Sequence, residues 1–346
     1  MMNRLYKFLC ICGMMLTATV SHAATTADEG RIFLQHQGVI ARSFAPGEMA
    51  KAIEQAAEGD TLLLANGNYA SKFTISKSIS IIGADASYIN CQNSSDCIEI
   101  KSPGKDSLKV NLENLNATSS NGLRIEFYNE MEDGTYYTLA HPVKLTLQKS
   151  RILEFRTSHA DIAAVNIECR RCLISYMTSL RTPAKASFYN SELINLGDCD
   201  NIRANHCYIK NLCGADNSLI TNSIIGSISN TDFNGNPGNG TSVVTNSLYN
   251  ATDQVYALQD CILIKESLLG TTIPFTCKFT REQLAASSYL GTDGTVVGIF
   301  GGSIPSNISD AATLLAPTNR PQITNASVSW DDTKTKVKVN AKVTAK

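Results

Sequence analysis

Residues Lys185–Asp232 read KASFYNSELINLGDCD, NIRANHCYIKNLCGAD and NSLITNSIIGSISNTD, three consecutive 16-residue blocks that align without a gap. Each ends in Asp. The sixth position is Asn190, His206 and Asn222, and the seventh is Ser191, Cys207 and Ser223. The ninth is Leu193, Ile209 and Ile225, and the twelfth is Leu196, Leu212 and Ile228. Internal periodicity of this kind signals a repeat architecture.

The frame extends outward if block length varies at one corner. Further blocks start near Lys144, Asn166, Thr241 and Val255. The fourth position then reads Leu147, Cys169, Phe188, Ala204, Ile220, Val244 and Leu258. The seventh reads Ser150, Cys172, Ser191, Cys207, Ser223, Ser247 and Cys261. Positions seven and nine are two apart, so both point inward on one strand. Position four points inward on the strand before. The Asn-rich sixth position marks the bend between them, because Asn tolerates a left-handed backbone. Apolar spacing of three and four over longer runs is absent, which argues against helical repeats. The pattern predicts an all-β, right-handed, single-stranded parallel β-helix.

Nearer the N-terminus, Pro46–Glu58 reads as a short amphipathic helix with Met49, Ile53 and Ala56 on one face. Such a helix would cap the open end of the coil. The first rungs are expected in Gly59–Tyr69 and Phe73–Gly83. Arg4 and Lys7 precede an apolar stretch from Phe8 to Val20, followed by Ser21-His22-Ala23. That is the pattern of an export signal cleaved after Ala23. Cys10 and Cys12 lack the small residue that precedes a lipidated cysteine. The organisation expected is a signal peptide (1–23), an N-terminal segment and capping helix (24–58), the coil (59–303), and a linker with a β tail (304–346). A hairpin (126–141) interrupts the coil around Asp133-Gly134, and SVSWDDTKTKVKVNAKV near the C-terminus reads as a second hairpin.

Thirty basic residues balance thirty-one acidic ones, and charged residues make up only 18% of the chain. No global field favours nucleic acid or an anionic membrane. No segment is long and apolar enough to be a transmembrane span, and a monomer is expected.

The run from Ala52 to Gly83, "AI..A..GDT..L..G.Y....I.KSI.I.G", resembles the opening of pectate-lyase-like β-helix proteins. GTDGTVVGIFGG (Gly291–Gly302) and PQI (Pro321–Ile323) look similar to the end of secreted β-helix proteins of gut-type Bacteroidetes. The resemblance implies a polysaccharide partner, and the family contains lyases and hydrolases as well as members without known activity. Fold alone does not assign one.

Uneven block lengths place extra residues in Arg156–Val165 and Phe233–Gly240, two loops that would rim a valley of about three rungs, ~15 Å. Asp198, Asp200 and Asp216 come from adjacent rungs there, with Asp232 next. Stacked carboxylates suit Ca²⁺, while Asp-Asn pairs are also ordinary turn formers. A lyase acting on an acidic glycan needs a cation and a base. Arg156 and His159 on the long loop are the catalytic candidates. Arg151, Arg170, Lys210, Tyr136 and Tyr137 are the candidates for substrate contact. Arg171 and His206 occupy the sixth position and substitute for the ladder Asn; Arg203 is a further cation. The residues show neither the Lys and Arg-His set of the chondroitinase and alginate lyase type nor the spaced Asp pairs of the polygalacturonase type. A non-catalytic binding or scaffold protein is therefore the first expectation, with a lyase or hydrolase as the alternative.

Nine cysteines follow the signal. Cys169-Arg-Arg-Cys172 has the spacing of half a zinc site, but no second such pair exists. Cys169, Cys172, Cys207 and Cys261 all fall at inward positions and read as small core residues. Cys91 and Cys97 flank a short loop and could pair in an exported chain.

Overall fold

In the computed structural model, the described residues are 30–84, 87–91, 98–101, 107–117, 123–128, 142–157, 165–178, 184–229, 231, 241–252, 256–271, 274–305, 322–330 and 337–344. Residues 30–316 form one compact unit. A second unit comprises 1–29 and 317–346, and its described part is an antiparallel hairpin, Gln322–Trp330 with Val337–Thr344.

The larger unit is all-β. Among the described residues the chain alternates between a twelve-stranded sheet and a ten-stranded sheet, and a small three-stranded sheet joins the early turns. From Thr61–Leu64 onward the strands pair in parallel with the strand one turn earlier, so successive turns stack as a β-helix-like coil. The repeat frame is the register. Leu147, Cys169, Phe188, Ala204, Ile220 and Val244 pair in sequence along the first sheet. Ile152, Ile174, Leu193, Ile209 and Ile225 do so along the second. All of these side chains are buried.

The corner residues explain why the coil can turn so sharply. Asn114, Lys149, Arg171, Asn190, His206, Asn222, Asn246 and Asp260 all have φ between 47° and 57°. All but Asn114 sit at the sixth position of the repeat, and Asn114 precedes Lys149 at the same corner. Asn reaches this left-handed region more readily than most residues. The seventh position behind the corner carries Ser or Cys because its side chain binds backbone inside the coil. Ser191 Oγ accepts from Cys172 N at 3.1 Å, and Ser223 Oγ accepts from Cys207 N at 3.1 Å. Buried backbone donors are thus satisfied by the next rung.

Two features at the ends differ from the sequence expectation. The N-terminal helix is shorter than predicted: Pro46–Glu48 is a 3₁₀ turn and only Met49–Gln55 (α1) is α-helical. Met49, Ala52, Ile53 and Ala56 join the main core. Ahead of it, an antiparallel hairpin, Ile32–His36 with Val39–Phe44, pairs with Thr61–Leu64 and closes that edge of the first sheet. At the other end the parallel strands stop at Leu263. Residues 264–305 leave the coil as a strap containing the short helix Arg281–Ala286 (α2). Among the described residues no helix is long and apolar enough to cross a membrane.

Candidate functional site

The two long sheets use their outer faces in opposite ways. On the ten-stranded sheet the eighth position points outward, and beside Arg151 and Glu192 it carries the apolar Leu173, Tyr208, Ile224 and Leu248. These pack under Leu268, Leu269, Phe275, Leu284, Val297 and Ile299 of the strap to form a second apolar core outside the coil. Hydrogen bonds to the corner ladder complete the attachment. Asn190 Nδ2 donates to the carbonyls of Ile299 and Gly301 at 3.0 and 2.7 Å. Asn222 Oδ1 accepts from Thr292 N at 2.9 Å, and its own carbonyl accepts from Gly298 N at 2.7 Å. His206 Nε2 meets Asp293 Oδ2 at 3.0 Å. The sixth-position residues therefore both turn the coil and receive the strap, a second role that the repeat does not reveal.

The outer face of the twelve-stranded sheet remains open over its central rungs and is polar. Lys109, Lys144, Asn166 and Lys185 stand in one exposed row across four neighbouring strands. Beside them run Asn111, Thr146, Glu168, Ser187 and Arg203. Early in this face lies a groove of about 340 Å³ walled by Gly59, Ser78, Ser80, Lys109, Asn111 and Lys144. That volume lies within the range of small-ligand sites. Its hydroxyls, amide and two ammonium groups form a set suited to hydrogen-bonding a sugar and pairing with a negative charge. Lys109, Lys144 and Lys185 have no ion-pair partner among the described residues. Farther along, Arg170 Nε bonds Glu168 Oε1 at 2.6 Å, and its guanidinium lies 5.2 Å from the Tyr189 ring centroid.

The residues singled out from sequence scatter. Arg170 lies on the open face. Arg151 belongs to the other sheet, at the eighth position; its Nε is buried without a partner, and burial lowers the guanidinium pKa. Lys210 is engaged by the strap, donating from Nζ to the Leu269 carbonyl at 2.9 Å. Asp198 sits at a left-handed corner with φ 52°, and its N–H donates to the Cys213 carbonyl at 3.0 Å. Asp200 and Asp216 are bridge partners on adjacent rungs, each followed by an Asn at a further left-handed corner. Among the described residues no group of three or more His, Cys, Asp or Glu side chains is placed to hold a metal. The backbone of Arg156 pairs with Glu126. The side chain of Arg156, and His159, Tyr136, Tyr137, Asp232 and Cys97 entirely, lie outside the described residues.

The open-face row was missed although two of its lysines, Lys144 and Lys185, begin repeat blocks. Outward polar residues recur in the repeat just as ordinary surface residues do, so their spacing alone does not mark them. No family model, curated protein or solved structure matches the chain.

Proposed function

We propose that this chain is an exported, right-handed, single-stranded β-helix protein that binds polysaccharide along the open face of its twelve-stranded sheet, without cleaving it. The opposite treatment of the two outer faces carries this reading. On its later rungs one face carries an apolar stripe covered by the protein's own strap; the other keeps a polar, cation-bearing groove open to solvent. Parallel rungs at ~4.8 Å spacing repeat the same polar groups along one direction, which suits an extended, repeating ligand. The row of Lys109, Lys144 and Lys185, without ion-pair partners among the described residues, favours glycans that carry acid groups. Right-handedness follows the general rule for crossovers between parallel strands. Export follows from the basic and apolar segments ahead of Ala23, and Asp198, Asp200 and Asp216 on neighbouring rungs are the carboxylates that would take calcium.

The test is retention of the mature chain on immobilised acidic and neutral polysaccharides, with calcium or with chelator. Soluble-product release is followed in parallel. Selective retention lost in a Lys109→Ala/Lys144→Ala variant, with no product formed, supports the reading. Retention unchanged by the double substitution removes this face from consideration, and release of unsaturated or reducing-end products makes the protein an enzyme instead.

A further inference from the structure

Glu192 occupies the eighth position among Leu173, Tyr208, Ile224 and Leu248, and it is 1% exposed beneath the strap. Its carboxyl accepts the Phe275 N–H at 2.6 Å, a direct bond from the coil to the strap. Among the described residues the groups around it supply no positive charge. Leu173 lies one rung before, and Tyr208 one rung after. From the strap come Phe275 and the Cys277 thiol. The Tyr208 hydroxyl beside Cys277 is buried with no well-formed hydrogen bond. Burial pushes Tyr208 far up and Cys277 up as well, so both stay uncharged while a carboxyl titrates. The strap's charged contacts lie elsewhere: Asp293 on His206 and Lys278 on Glu266. Lys210 reaches only the Leu269 carbonyl.

We propose that Glu192 is a pH-operated catch: protonated, it seats the strap on the second sheet, and ionised, it releases the strap and bares the apolar stripe of Leu173, Tyr208, Ile224 and Leu248. A carboxylate sealed in an apolar layer with one amide donor is far less stable than the same carboxylate in water. Lifting the strap hydrates it, so ionisation and opening are linked. Burial raises the Glu192 carboxyl from 4.5 to about 8 in the closed form. The closed state therefore binds the extra proton between those values. Its advantage is complete below 4.5 and is lost as the pH rises through about 8. Opening grows by up to about tenfold per pH unit in that window and levels off above it.

The experiment is hydrogen exchange of the mature protein from pH 5 to 9.5, corrected for intrinsic exchange, reading the strap amides of Phe275 and Lys278. Protection is expected to fall by up to about tenfold per unit and to plateau above about 8. Coil amides such as that of Ile209 should hold steady. Glu192→Gln keeps the shape and removes the charge; it should abolish the pH dependence of the strap. If that variant fails to fold, Glu192→Leu, matching the neighbouring rungs, must show the same flat profile. A slope that persists in the variant that folds, or no slope in the native chain, overturns the proposal.

Discussion

His206 Nε2 lies 3.0 Å from Asp293 Oδ2, joining a corner of the coil to a strap 87 residues later in the chain. The imidazole is fully buried and its Nδ1 has no partner. Gly301 packs closely against the ring: a Cβ there would stand 2.6 Å from Nδ1. For Asp293, burial acts to raise the carboxyl. The Thr295 N–H and hydroxyl together with His206 outweigh it, and the net effect is below 3.8. Stability from this group is present above its unfolded value and declines as pH falls through the lowered one. Acid thus weakens the strap at Asp293. Replacing His206 with Asn keeps a residue suited to the left-handed corner and removes the contact. A loss of about 1 kcal/mol in chemical unfolding is expected, with exchange rising first in 291–302.

Ligand binding proposed for the open face is expected to be governed by charge. Lys109→Ala with Lys144→Ala should weaken binding to an acidic polysaccharide by about tenfold, roughly 1.4 kcal/mol. Raising salt should weaken the native protein in the same direction, because exposed charges are screened within ~10 Å at 0.1 M. Calorimetric titration at two ionic strengths checks both, and thermal stability should not change.

Gly298 allows the strap to descend onto the second sheet. Its φ is +76°, and a Cβ there would stand 2.4 Å from the Tyr208 ring. Gly298→Ala combines a strained backbone with a collision, and a cost of about 1–3 kcal/mol is expected. The coil's far-ultraviolet dichroism should persist, while binding of an apolar dye to the uncovered stripe should rise.

Cys172 tests the inward ladder. Its thiol donates to the Arg170 carbonyl at 3.5 Å, as Ser191 Oγ donates to the Tyr189 carbonyl at 2.9 Å one rung on. Cys172→Ser should therefore cost less than about 1.5 kcal/mol, since the hydroxyl finds the same acceptor. Cys172→Leu should cost about 1–3 kcal/mol by overfilling a fully buried site. Urea denaturation of the two variants gives the comparison.

Much of the coil was legible because its determinants are local. A strand's inward residues alternate, and a left-handed corner selects Asn, so Leu147 through Val244 and Asn190 through Asn246 declare themselves by spacing alone. The shortened helix α1 and the N-terminal hairpin were less legible, since their ends depend on packing against the first rungs. The candidate site was mostly illegible. Arg151 and Lys210 stand three turns apart on the ten-stranded sheet, and Lys210 is taken by a strap carbonyl, while Arg170 lies on the open face of the other sheet.

What the sequence by itself determined is the repeating strand-and-corner path, because backbone preference and burial act within a few residues and recur every turn. Only the tertiary structure decided which outer face is closed and which stays open. Contacts such as Asn190 with Gly301, 111 residues apart, follow from where the last segment lands. The same landing seals Glu192 from water, and neither consequence has a period for the sequence to display.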